Sequence, residues 1–129
     1  MITFEAALVL ALTVLSLPTD IPVDRMGRGW GSPGVAAWTY ERDVIAVGVD
    51  IEWDEQATGW ERQFVAAHEA CHIKFHMRWI KAKAGTITRE QRMRNEMEAN
   101  RCAMIVVAQL ADGDAFTGRE NLSPGAGKP

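Results

Sequence analysis

The string His68-Glu69-Ala70-Cys71-His72 constrains this chain more than any other feature. Imidazoles four residues apart lie one turn apart on a single helix face, so both can reach one metal ion. The residue after the first histidine projects beside that face, where its carboxylate can act on water instead of ligating. Val65, Ala66, Ala67 and Ala70 surround the pattern with small apolar groups, so the helix that carries it is expected to be buried. Two histidines and a glutamate on a buried helix need partners, because unpaired buried polar groups are costly. A metal supplies them. His68 and His72 are therefore the expected metal ligands, Zn2+ the expected ion and Glu69 the expected general base.

The flanking sequence sets the helix in a frame. Thr58 and Glu61 form a capping box, which predicts a helix running to about Ala84, with Gly85 as its stop. Trp60, Phe64, Ala67, Cys71 and Phe75 recur at helical spacing and are expected to face the core. Thr88 and Gln91 give a second capping box, for a helix reaching about Leu110, with Gly113 beyond its end. Its apolar half, Met104 to Leu110, reads as buried on all sides. Upstream, Val35–Tyr40 and Val44–Ile51 are rich in β-branched and aromatic residues, and Glu41-Arg42-Asp43 between them suggests a hairpin turn. In the second run Ile45, Val47, Val49 and Ile51 share one face, and Gly48 on the other would admit a close backbone. Gly29, Gly31 and Gly34 match G-x-G-x-x-G, but no strand precedes them and no helix follows, so the stretch reads as a loop and not a nucleotide site.

A catalytic zinc site takes three protein ligands, and the third must come from outside the motif. A third histidine in the metzincin pattern is excluded, because Phe75 and Arg78 occupy the required glycine and histidine places. Glu90, Glu96 and Glu98 remain, all on the following helix. Glu90 fits a solvated face best. Glu96 and Glu98 point about 200° apart on a helix, so only one of them can face the ion. Periodicity does not choose between them.

The stretch from Glu61 to His76, with Arg62, Phe64 and Ala67-His68-Glu69 followed by His72 and His76, resembles the signature helix of the ImmA/IrrE metallopeptidases. Glu98-Ala99-Asn100-Arg101-Cys102-Ala103 is similar to that family's second signature, and the order of a β-hairpin before the helix also agrees. The resemblance spans about Pro18 to Leu110. Ala70 and Cys71 stand where the family has Leu-Gly, and Cys102 stands where it has phenylalanine. The resemblance implies that Glu98 is the third ligand, with Cys102 one turn on leaving room beside it. It also implies an intracellular regulatory protease, often phage-encoded, that cleaves a repressor protein. His76 matches a family position, with oxyanion stabilisation and a hydrogen-bonding role beside the site both open.

Together these readings give a small α+β zincin-like domain with an N-terminal helix, a short antiparallel sheet, an active-site helix and a ligand helix. Residues 1–17 form an apolar helix, 18–112 the metallopeptidase core and 113–129 a flexible tail. The expected function is zinc-dependent endopeptidase action on a protein substrate. A free hairpin edge, Val44 to Val49, would pair with the extended substrate. Cys71 and Cys102 are read as small packing residues, two cysteines being too few for a disulfide scaffold. A net charge of −3 argues against a nucleic-acid partner. The apolar run Ala6–Leu17 is too short to span a bilayer, and Glu5 is not the basic flank of a signal peptide. The run is therefore read as a buried first helix, and cytoplasmic placement is what the resemblance implies. A non-catalytic zinc-stabilised module and an anchored or exported protein are the alternatives.

Overall fold

The computed structural model describes residues 2–27, 32–39, 42–82 and 85–117, with backbone alone for 38, 39 and 113–117. Residues 28–31 of the glycine-rich loop, Glu41 of the hairpin turn, the expected helix end at Ala84 and the tail from residue 118 lie outside the described residues.

Among the described residues, five helices and one three-stranded sheet make an α+β domain: α1 Phe4–Val14, β1 Val23–Met26, β2 Gly34–Thr39, β3 Val44–Asp50, α2 Ile51–Gln56, α3 Gly59–Phe75, α4 Met77–Ile80 and α5 Arg89–Thr117. The expected hairpin is present as β2 paired antiparallel to β3, with Val35 opposite Gly48 and Ala37 opposite Ala46. The sheet as a whole is mixed, however. Val23–Met26 follows Pro22 as a strand of its own, β1, and pairs parallel to β3. The strand order is β1-β3-β2. This places β3 in the centre, which corrects the expectation that Val44–Val49 offers a free edge. The edges belong to β1 and β2.

Side-chain alternation in β3 sends Ile45, Val47 and Val49 into the core, as their shared face requires. The opposite face is covered too, since Ala46 and Asp50 are also buried. At Gly48 an added Cβ would meet the Met26 and Val35 side chains, so the approach there is by side chains and not by another backbone. The close approach occurs at Gly34, which was read as part of the glycine-rich loop but begins β2. A Cβ there would stand 3.2 Å from the Gly48 carbonyl oxygen, 3.3 Å from Val65 Cγ1 and 3.5 Å from Glu69 Cγ. Glycine therefore lets β2 lie directly on α3.

Asp50 ends β3 and starts α2, a helix the sequence reading missed. Its carboxylate accepts hydrogen bonds from the Glu52 and Trp53 backbone N–H groups, which makes it an N-cap. Asp54 of α2 then accepts from Arg25 of β1 and Arg62 of α3, and Arg25 also reaches Glu5 of α1. Four elements are tied at one corner by this network.

The helix α3 opens on the expected capping box: Glu61 N–H donates to Thr58 Oγ1 and Thr58 N–H donates to Glu61 Oε1. It stops at Phe75, well before Ala84. His76 leaves helical geometry at φ −125° and ψ 23°, and a separate turn, α4, follows. Ala67 and Cys71 are fully buried, but Trp60 and Phe75 are more than half exposed and do not join the core. Trp60 instead stacks on Phe64 with ring centroids 5.4 Å apart.

Only half of the second box forms. Gln91 N–H donates to Thr88 Oγ1, while the Gln91 side chain turns to Asn95 Oδ1. The helix α5 continues through Gly113 to Thr117. Val106 and Val107 are buried, but Met104 and Ile105 are each 56% exposed, so the apolar half is covered on one side only.

Helix α1 shares the same core. Phe4, Ala7, Leu8, Ala11 and Leu12 are buried against it, with Phe4 edge-on to Trp53, while Val9 and Leu10 face outward. Among the described residues no helix is long and apolar enough to cross a membrane. Where α3 meets α5, on the side marked by the Cys71–Cys102 bond and the His72–Glu96 contact, the buried residues include the small Ala67 on one and Ala99 and Ala103 on the other. Cys71 and Cys102 are not separate packing residues, because their sulfurs form a disulfide that joins α3 to α5.

Alkylation of the denatured, unreduced protein should therefore leave both cysteines unmodified. Replacing both by serine should lower unfolding free energy by about 2–4 kcal/mol in urea titrations. Two alkylated cysteines in the purified, oxidised protein would contradict the bond.

Candidate metal centre

Three side chains converge where α3 and α5 face each other. His68 and His72 stand one turn apart on α3, and their Nε2 atoms are 3.1 Å apart. Glu96 of α5 closes the triangle, with Oε1 3.2 Å from His68 Nε2 and Oε2 2.7 Å from His72 Nε2. These three residues offer ligand atoms all within 4.8 Å of one another and so could hold a metal ion. The donor set fits zinc. Two ligands each about 2.0–2.1 Å from a tetrahedral ion stand about 3.3 Å apart, close to the observed spacing of the imidazoles.

Glu98, the carboxylate implied by the resemblance, is not the one brought to His68 and His72. Its Oε1 lies 2.7 Å from His76 Nε2 instead. The physical reason is helix geometry. Carboxylates two residues apart diverge by about 200°, so α5 gives each to a different imidazole. The register that buries Ala99 and Ala103 against α3 leaves Glu96 beside the HExxH pair. Glu96 reaches the two histidines with a side chain that is still 56% exposed.

Electrostatics follow from these contacts. Hydrogen bonds from His68 and then His72 hold Glu96 well below the usual carboxylate range, against a smaller opposing effect of burial. For His68, burial alone would lower the pKa. The hydrogen bond to Glu96, the nearby Glu69 charge and the acceptor of Asn100 outweigh it, and the net shift is upward. Asn100 sits one turn after Glu96 on α5, so one face of that helix serves both the carboxylate and His68.

Glu69 lies on the sheet side of the same helix and is 5% exposed. Burial pushes its carboxyl pKa up. Its carboxylate accepts a hydrogen bond from the Ala36 backbone of β2. It is outside the converging group. A cavity of about 650 Å³ is lined by His68, Glu69, His72 and Glu96, by Gly34–Ala37 of β2 and by apolar groups including Trp79, Ile80 and Ile87. The β2 edge faces this cavity. Asp50 N–H donates to the Pro33 carbonyl, so by antiparallel alternation Gly34, Ala36 and Trp38 turn their backbone groups away from β3.

No protein-family model matches the chain, and no solved structure matches it. It aligns with catalase-peroxidase 2 of Mycolicibacterium fortuitum at 29% identity over 48 residues, which is 37% of this chain and 6% of that protein. Catalase-peroxidase 2 of Mycolicibacterium vanbaalenii aligns over the same length at 31% identity. The chain thus spans about 6% of the length of the curated relatives it matches, and so short a fragment carries no argument about activity.

Two outcomes follow from the geometry. Glu96→Ala should weaken zinc binding by more than the roughly 10- to 100-fold typical of an outer partner, and Glu98→Ala by no more than that. Competition titration against a chelator checks it, and the reverse order would restore Glu98 as ligand. In zinc-free protein the His68–Glu96 pair should also show in the pH dependence of stability. His68 is held above its ordinary 6.5, so its contribution is complete below about that pH and is lost as pH rises through the folded-state value. Glu96 is held below its ordinary 4.5, so its contribution is present above about that pH and is lost as pH falls. The stability gap between wild type and Glu96→Gln should therefore be widest between about pH 4.5 and 6.5. A gap that is flat across denaturant titrations from pH 4 to 9 would contradict the pairing.

Proposed function

We propose that this chain is a zinc-dependent endopeptidase that hydrolyses a peptide bond in an extended protein segment. One observation carries the reading: the buried carboxylate of Glu69 opens on the same cavity as the His68, His72 and Glu96 triangle, without being part of it. A structural metal site has no use for such a group. A bound zinc ion would supply Lewis-acid activation of water and of the scissile carbonyl. His68, His72 and Glu96 would hold it. Glu69 takes a proton from the attacking water and delivers it to the leaving amine nitrogen. Its burial favours this work, since a carboxyl group with a raised pKa is a stronger base once ionised.

The edge of β2 supports the substrate class. An extended peptide can pair with this strand by backbone hydrogen bonds, while Trp79, Ile80 and Ile87 offer apolar surface to a side chain. The resemblance to the ImmA/IrrE peptidases adds the proposal that the substrate is a regulatory protein such as a transcriptional repressor.

A second reading of the compartment is favoured by the disulfide. Such bonds persist in oxidising surroundings and are rare in the cytosol, so Cys71–Cys102 suits an exported protein better than the cytoplasmic one that the resemblance implies. Thiol labelling in freshly lysed source cells separates the two, labelled cysteines meaning a reducing compartment.

Glu69→Gln should keep zinc and thermal stability close to wild type while slowing hydrolysis of an unfolded protein substrate by about 10²–10⁴-fold. Loss of zinc in that variant would make Glu69 a ligand. Unchanged hydrolysis would end the peptidase reading.

A further inference from the structure

Asn95 of α5 lines the cavity beside the triangle and is only 6% exposed. Arg92, three residues earlier on the same helix face, lines it too. It is the only lysine or arginine bordering the cavity among the described residues, and among them its guanidinium has no hydrogen bond or ion pair. Asn95 is half satisfied. Its Oδ1 accepts from Gln91 Nε2 at 2.8 Å, while its Nδ2 has no partner among the described residues. We propose that Arg92 and Asn95 form a subsite for a carboxylate of the peptide segment bound in this cavity. The proposal rests on the preceding reading for the nature of the ligand and adds the chemistry that this ligand carries.

The orientation of the Asn95 amide follows from its neighbours. Arg94 Nη2 donates to Gln91 Oε1 at 2.9 Å. A guanidinium has no acceptor, so the Gln91 oxygen is fixed on that side and its amide nitrogen faces Asn95. Asn95 must then offer its oxygen to Gln91, which leaves both hydrogens of Nδ2 for another group. A buried donor without an acceptor is costly, so a ligand that supplies one gains by binding there.

Charge selects which acceptor. Glu69 and Glu96 are the carboxylates bordering the cavity among the described residues, and together they carry at most two negative charges. A divalent ion at the triangle offsets both, which leaves the Arg92 guanidinium uncompensated. A backbone carbonyl would satisfy one N–H and none of that charge. A carboxylate accepts from the guanidinium fork and from an amide N–H together. Arg92 precedes Glu96 by one turn, about 6 Å along the helix axis, and an extended chain advances about 3.3 Å per residue. The carboxylate therefore belongs within about two residues of the bond held at the metal, beside the apolar surface of Trp79, Ile80 and Ile87.

Binding and cleavage both test the subsite. Zinc-loaded Glu69→Gln protein, which holds peptide without turnover, is titrated with fluorescent, C-terminally amidated peptides that differ only in Glu or Gln at one position, the position moved along the chain. At its best position Glu should bind about tenfold tighter than Gln. A Gln peptide with a free C-terminus shows whether the chain end supplies the carboxylate instead of a side chain. Arg92→Met should remove the gain, Arg92→Glu should reverse it in favour of a Lys peptide, and Asn95→Asp, which puts a carboxylate into the subsite, should remove it as well. Arg92 is exposed, so its two variants keep the core and serve if Asn95→Asp does not fold. In wild type, bonds cut in an unfolded protein and mapped by mass spectrometry should have Asp or Glu enriched within about two residues, and Arg92→Met should lose that enrichment. Equal affinity for all the peptides, or a preference that survives Arg92→Met, overturns the subsite. Equal weakening of every peptide by Arg92→Met means a backbone carbonyl contact and overturns it too. The preference without any hydrolysis by wild type fails the peptidase reading alone, and hydrolysis without the preference fails the subsite alone.

Discussion

The contact between α3 and α5 is the constraint on which the site depends. Two helices can bring short carboxylate and imidazole side chains to one point only if their axes lie close together, and close axes require small residues between them. Ala67 against Ala99 and Ala103 meets that requirement, and the Cys71–Cys102 bond ties the pair at the same level. Larger residues at these positions would separate Glu96 from His68 and His72 before they disturbed anything else. The apolar core and the polar triangle are therefore two faces of one packing arrangement. Bulky groups are confined to the other sides of α3, with Phe4, Leu8 and Leu12 from α1 and Val47 and Val49 from β3.

The sheet contributes by position. Because β3 is held between β1 and β2, the strand lying on α3 is the edge strand β2, and the missing side chain of Gly34 lets it approach until the Ala36 backbone meets Glu69. The strand thus sets the environment of the buried acid on one side of α3, while α5 sets that of the histidines on the other. Asp54, with Arg25 and Arg62, fixes the corner where α2 turns the chain from the sheet into α3.

What was legible in the sequence was local. The Thr58 cap, the β2–β3 pairing, the buried face of β3 and the one-turn spacing of His68 and His72 depend on residues near one another in the chain, and the structure contains them. Errors arose where a distant partner decides. Periodicity on α5 could not say which of Glu96 and Glu98 meets α3, because the answer lies in the rotation of one helix against another. The parallel strand β1 gave little signal at four residues, and Cys71 and Cys102 are bonded only because that same rotation aligns them. Trp60 and Phe75 followed the helical spacing but lie beyond the reach of the core, so pattern alone overstated their burial. The end of α3 was missed for a comparable reason: neither glycine nor proline marks His76, whose ring is held by His72 and Glu98.

The placement of the third carboxylate has a consequence for how the molecule comes into being. Everything up to α4, with the histidine pair and the buried acid, is synthesised before Glu96 and the alanine face of α5. A nascent chain therefore holds an incomplete ligand set and an uncovered helix until α5 docks. Competence of the centre and completion of the core are the same folding event, so a half-made copy is also a copy unable to close its site.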